Sequence, residues 1–155
     1  MSDVGLKAYA ERVYRSPGVE PILLDCQDRL GLDVLCLLGA CWLAQGGRAL
    51  NVEGWRSVLR SHSAWAGQVV APVRRARRAV KTIAGAQGLY EHLKEYELSA
   101  EWLALSRLEA SLIQSAVSVG SADCVERVLL AYCAAVDACD QDTRRAMARL
   151  VQVVK

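Results

Sequence analysis

The run "VLCLLGACWLA", Val34 to Ala44, constrains this chain more than any other stretch. It holds no charged residue, so the element it forms has no polar face to turn to water. A membrane-spanning helix needs ~20 apolar residues, and this run is far shorter. Its Leu and Ala content favours a helix, which other apolar elements must then wrap. The run is predicted to be the buried centre of a helical bundle. At 155 residues the chain is long enough to enclose that core in a single domain, residues 1–155.

The punctuation around the run agrees. Asp33 is placed to N-cap its helix, and Gly46 and Gly47 to end it. Upstream, residues 2–15 read as a helix stopped by Ser16, Pro17 and Gly18. Pro21 suits the first turn of a second helix and Gly31 its C-terminal cap. Asn51 caps a fourth helix with Trp55, Val58 and Leu59, which continues through "AWAGQVVAPVRRARRAVKTIAG" with a kink or break near Pro72.

A long central helix is expected over Gln87 to Ser115. It is apolar on two sides, Leu89, Leu93, Ala100 and Leu103 on one, and Leu98, Trp102, Leu105 and Leu112 on another. Ser121 then caps a helix to about Asp137, and Asp140 or Asp142 caps the last. No strand-like alternation competes. The expected fold is all-α, a bundle of six or seven helices.

The charges suggest three uses. Val69, Val73, Ala76, Val80 and Ile83 repeat at helical spacing, and at ~100° per residue Arg74, Arg77, Arg78 and Lys81 gather on the opposite side, with Arg75 nearby. That face is either a solvated surface or a binding site for an acidic protein or RNA. Net charge is only +2, so no general attraction to nucleic acid follows. Internal pairing is the third use, with Arg74 and Arg78 meeting Glu97 and Glu101.

Asp25, Asp28 and Asp33 raise the question of a magnesium site, but they are not arranged as repeated pairs on facing helices, and Asp33 is explained by capping. The six cysteines form no Cys-x-x-Cys pair, and His62 and His92 stand beside none of them, so neither metal nor cofactor is expected. No Ser-His-Asp order or phosphate-binding glycine loop is present.

The stretch Tyr14 to Ala44 resembles a family of small helical bacterial proteins, domain of unknown function 2390. The resemblance is carried by Tyr14, Pro17, Gly18 and Val19, then Leu24, Gln27, Asp28, Arg29, Gly31, Asp33 and Val34, then Leu37, Leu38 and Trp42. "WAGQVVAPVRRARR" and "YELSAEWLAL" are similar to two further signatures of that family. The resemblance implies an all-helical cytoplasmic protein and supplies no reaction.

The leading expectation is a non-catalytic adaptor or regulator that presents Arg74, Arg77, Arg78 and Lys81 to a partner. The rival is a small-ligand binder or enzyme with a pocket of Asp28, Arg29, Arg74, Arg78, Glu97 and Glu101. A homodimer through the long helix is a third reading. The opening "MSDVGLKAYAERVY" has no apolar leader and no span is long enough for a membrane, so a reducing cytoplasm and unpaired thiols are expected. Thiol titration after denaturation without reductant should therefore find all six cysteines reactive; a loss of two or more in fresh protein would contradict it.

Overall fold

In the computed structural model, residues 4–120 and 125–154 are described. The uncharged run forms α3 (Val34–Gln45), and eight of its twelve residues are buried on every side of the helix. Such a helix needs neighbours all round. It contacts α1 (Leu6–Tyr14), α2 (Val19–Asp28), α6 (Gln87–Ser115) and α7 (Val125–Ala135). α4 (Val52–Trp65) packs on α6 and α7, while α8 (Gln141–Val153) closes the far side against α2 and α7. Leu6, Leu23, Leu37, Leu43, Leu108, Leu129 and Met147 meet in the dry centre.

The caps follow the sequence closely. The Asp33 side chain accepts from the Leu35 and Cys36 amides, Asn51 from Gly54, and Asp140 from Thr143. α2 stops at Arg29, and the left-handed Gly31 (φ 68°) beyond it turns the chain so that the Leu32 amide reaches back to the Cys26 carbonyl. The expected Ser121 cap lies outside the described residues.

Pro72 acts one turn early. α4 runs into a π-helical turn, Ala66–Val70, and then into α5 (Ala71–Val80). Proline lacks the amide that would close the preceding turn and its ring crowds the carbonyl four residues back; a widened π turn relieves both. Counted as one rod, α4, the π turn and α5 bring the described residues to seven helical rods. Two short strands correct the expectation of none. β1 (Arg48–Ala49) pairs antiparallel with β2 (Val117–Ser118), beyond the ends of α3 and α6. Two residues are too few to leave an alternating pattern in sequence.

The long helix is central only over its second half, where Ala104, Leu105, Leu108 and Leu112 are buried. Its first half leaves the main core paired with α5. Of the two expected apolar sides, Leu89, Leu98, Trp102 and Leu103 remain exposed. Lys7 lies over the Trp102 ring, its Nζ 4.0 Å from the centroid. α5 buries no residue at all. A small satellite core of Val70, Ala100 and Ala104, with Leu35, Trp65 and Val69, joins this hairpin to the body. No helix among the described residues is long and apolar enough to cross a membrane. Cys26, Cys36, Cys41, Cys133 and Cys139 are free, and Cys124 lies outside the described residues.

α6 crowds α3 at Gly39, where an added Cβ would stand 2.8 Å from a Leu112 methyl. Overpacking a buried crossing costs about 1–3 kcal/mol. Gly39→Val should therefore lower stability by at least that range in urea unfolding. Gly67→Ala, with no atom within 4 Å of the new carbon, should be neutral or stabilising by up to ~1 kcal/mol.

Candidate functional site

Two polar clusters line one cleft. The first begins at Asp33, the residue that opens α3. One carboxylate oxygen caps the helix, accepting from Leu35 N at 2.9 Å and Cys36 N at 3.2 Å. The other oxygen lies 2.8 Å from His62 Nε2, which comes from the last turn of α4. The Asp33 amide donates to the Tyr132 hydroxyl at 2.9 Å, and Tyr132 stands edge-on to the buried Trp55 ring.

Burial works against the Asp33 carboxylate, but the His62 hydrogen bond and charge, with the Cys36 and Leu35 amides, outweigh it and hold its pKa below the usual aspartate value. An ionised carboxylate has no proton to give, so Nε2 is the donor of that bond. Cys36 completes the cluster: a donor atom from each of Asp33, Cys36 and His62 lies within 4.8 Å of the others. Burial, and then the Asp33 charge, push the Cys36 thiol well above its usual pKa. It is held as S–H, unlike a cysteine primed for nucleophilic attack.

The second cluster ties α5 to α6. Arg74 Nε donates to Glu97 Oε1 at 2.9 Å and its Nη2 to Glu101 Oε1 at 2.6 Å, while Arg77 Nε reaches Glu97 Oε2. Glu97 accepts from two guanidinium groups with its side chain only 11% exposed; that of Glu101 is 38% exposed. Burial alone would raise the Glu97 pKa, but the hydrogen bonds of Arg77 and Arg74, with their charges, hold it below the usual value.

The cleft between the clusters measures about 490 Å³ and is lined by Asp33, His62, Ala66, Val70, Arg74 and Glu101, among others. The π turn supplies Ala66 and Val70 to its wall.

This geometry brings together part of the expected pocket. Arg74, Glu97 and Glu101 meet, joined by Arg77, which was expected on the outer binding face. Arg78 is exposed and outside the network. Arg29 grips Asp25 with two hydrogen bonds, of 3.0 and 2.9 Å, and approaches Asp142 of α8 at 3.7 Å. Asp28 is exposed beside it. The expected pairing of Arg29 and Arg78 with the glutamates is thus corrected: Arg29 pairs with Asp25 and Asp142, and Arg78 turns to solvent, as does Asp28. Asp25 faces Arg29, whereas Asp33 faces His62 and the first amides of α3.

Sequence reasoning missed Cys36 and His62. Their signals were present. Asp33 and Cys36 are spaced as N-cap and N3, positions whose side chains converge, and His62 continues the buried stripe of Trp55 and Val58 on α4.

A protein-family model matches residues 6–108. The chain belongs to the family described as a protein of unknown function, DUF2390. The matched region holds Asp33, Cys36, His62, Arg74, Arg77, Glu97 and Glu101, and it stops within α6, before Tyr132. No curated protein and no solved structure matches the chain.

The two glutamates should separate in mutagenesis. Breaking a fully buried pair costs roughly 3–5 kcal/mol, and Glu97 approaches that limit with its low exposure and two partners. Glu97→Ala should cost about 2–4 kcal/mol, and Glu101→Ala no more than ~1 kcal/mol. A depressed pKa makes the Glu97 contribution full above the ordinary glutamate value and lost as pH falls through the lower folded value. The gap between wild type and Glu97→Ala, measured by urea unfolding, should shrink on that acid side.

Proposed function

We propose that this protein is a non-catalytic helical interaction protein whose α5–α6 hairpin docks an acidic protein segment, and that it works in the bacterial cytoplasm. One observation carries the reading: although α5 packs along α6, the hairpin leaves Ile83, Leu89, Tyr96, Leu98 and Leu103 exposed. A contiguous exposed apolar group of this kind ordinarily marks a contact surface.

The hairpin offers two kinds of contact. Arg75, Arg78 and Lys81 are exposed cations at successive helical spacings. Ile83, Leu89, Tyr96, Leu98 and Leu103 are exposed apolar side chains on the same hairpin. Aromatic and aliphatic anchors rimmed by charge suit a protein interface. The exposed apolar side chains, which a phosphate backbone would leave uncovered, favour an acidic protein over RNA. Arg74 and Arg77, expected on this face, are engaged by the glutamates, so the binding set becomes Arg75, Arg78 and Lys81.

A second reading has its own support. Asp33, His62, Arg74 and Glu101 line one cleft, as expected of a small-ligand binder or an enzyme. A homodimer would use Leu89, Tyr96 and Leu103, exposed at seven-residue spacing on α6.

Capture from bacterial lysate, with and without nuclease, tests the leading reading on the full chain. Replacing Arg75, Arg78 and Lys81 together by Glu should abolish a nuclease-resistant, salt-sensitive capture. Stability should move by no more than ~1 kcal/mol per exposed charge. Capture unchanged by the triple replacement, or lost on nuclease treatment, would overturn the acidic-protein reading. Light scattering of the purified protein would expose self-association instead.

A further inference from the structure

We propose that Asp33, Cys36 and His62 form a binding site for a zinc-class divalent cation, with a fourth coordination position open to the cleft. The inference is independent of the hairpin docking reading, and no sequence motif announced it. The three donor atoms lie within 4.8 Å of one another, with Asp33 Oδ2 and His62 Nε2 already 2.8 Å apart. A tetrahedral zinc bonded at ~2.0–2.3 Å spaces its ligand atoms roughly 3.3–3.8 Å apart. Asp33 Oδ2 and His62 Nε2 would part by roughly 0.5 Å to take that spacing.

The backbone prepares the set. Asp33 and Cys36, at N-cap and N3, form a two-ligand chelate on one helical turn, and α4 brings His62 from the other side. Asp33 divides its oxygens, Oδ1 anchored by the Leu35 and Cys36 amides and Oδ2 turned to His62. An oriented carboxylate of this kind is what a metal site needs from its surroundings.

Charge also balances. One carboxylate and one thiolate neutralise the two charges of the ion, with a neutral imidazole as third ligand. A coordinating thiol is deprotonated outright by such an ion; the Cys36 proton leaves to solvent. Nε2, the donor to Asp33 in the metal-free protein, gives up its proton's place to the ion, so that the neutral imidazole carries its one proton on Nδ1. The site is closed on the protein side, where Cys36 is fully buried, and open on the other, where Asp33 and His62 border the 490 Å³ cleft. Three protein ligands with an open position distinguish reactive zinc sites from structural ones. A water completes the shell in the resting protein, and Arg74 and Glu101 line the same cleft.

Cobalt(II) added to the reduced, chelator-treated full-length protein reports both geometry and ligand type. The expected result is one equivalent bound, with tetrahedral visible bands and a thiolate-to-cobalt charge-transfer band, both bleached by zinc. Cys36→Ser should lose the charge-transfer band. A Cys124→Ser/Cys139→Ser double variant should keep it. Should Cys36→Ser fail to fold, His62→Gln takes its place and should lose the tetrahedral bands. A wild-type protein without the charge-transfer band overturns the site. So does a Cys36→Ser or His62→Gln spectrum identical to wild type.

Discussion

Asp33 ties three helices together at the mouth of the cleft. α3 is apolar all round and can exist only inside, yet its first turn carries amide groups that must find acceptors away from bulk water. Asp33 supplies one with Oδ1, and with its remaining groups it binds two other helices. Oδ2 takes His62 of α4, and the backbone amide takes the Tyr132 hydroxyl of α7. A single residue thus sets where α3 begins and how α4 and α7 lie against it. The cleft lies beside it, with Ala66 and Val70 of the π turn in its wall.

The α5–α6 hairpin rests on a different balance. Its apolar contacts with the body are few, centred on Val70, Ala100 and Ala104. What aligns α5 along α6 is the set of arginine–glutamate bonds, with Glu97 at its centre receiving Arg74 and Arg77. Paired charges at partial burial are specific in geometry but modest in net stability. A hairpin held this way keeps a defined shape while leaving apolar surface uncovered, which is the condition for a docking element.

The two clusters divide the binding residues expected from sequence. Arg74 and Glu101 turn toward the cleft and the Asp33–His62 pair, whereas Arg75, Arg78 and Lys81 turn to solvent. One amphipathic stretch therefore contributes both to an inward polar site and to an outward cationic edge. Helical periodicity placed these residues on the same broad side of α5 but could not divide them, because the division depends on where α6 runs.

Local chemistry determined the helices by itself. Asp33, Asn51 and Asp140 cap where side-chain acceptors at those positions predict. The uncharged run demanded burial whatever surrounded it, and the Gln87–Ser115 helix appears over its full expected span. The family was legible too, from residues within the matched region. Tertiary structure alone decided which apolar sides are covered, as Leu98 and Trp102 show by remaining exposed. It also chose Arg77 over Arg78 as the second partner of Glu97, and brought His62 to Asp33 and Cys36 across more than twenty intervening residues. Capping and periodicity act over one or two turns of a helix, within reach of neighbouring residues in sequence. Pairing across helices depends on how whole elements pack, and that packing is set by the sum of all their faces.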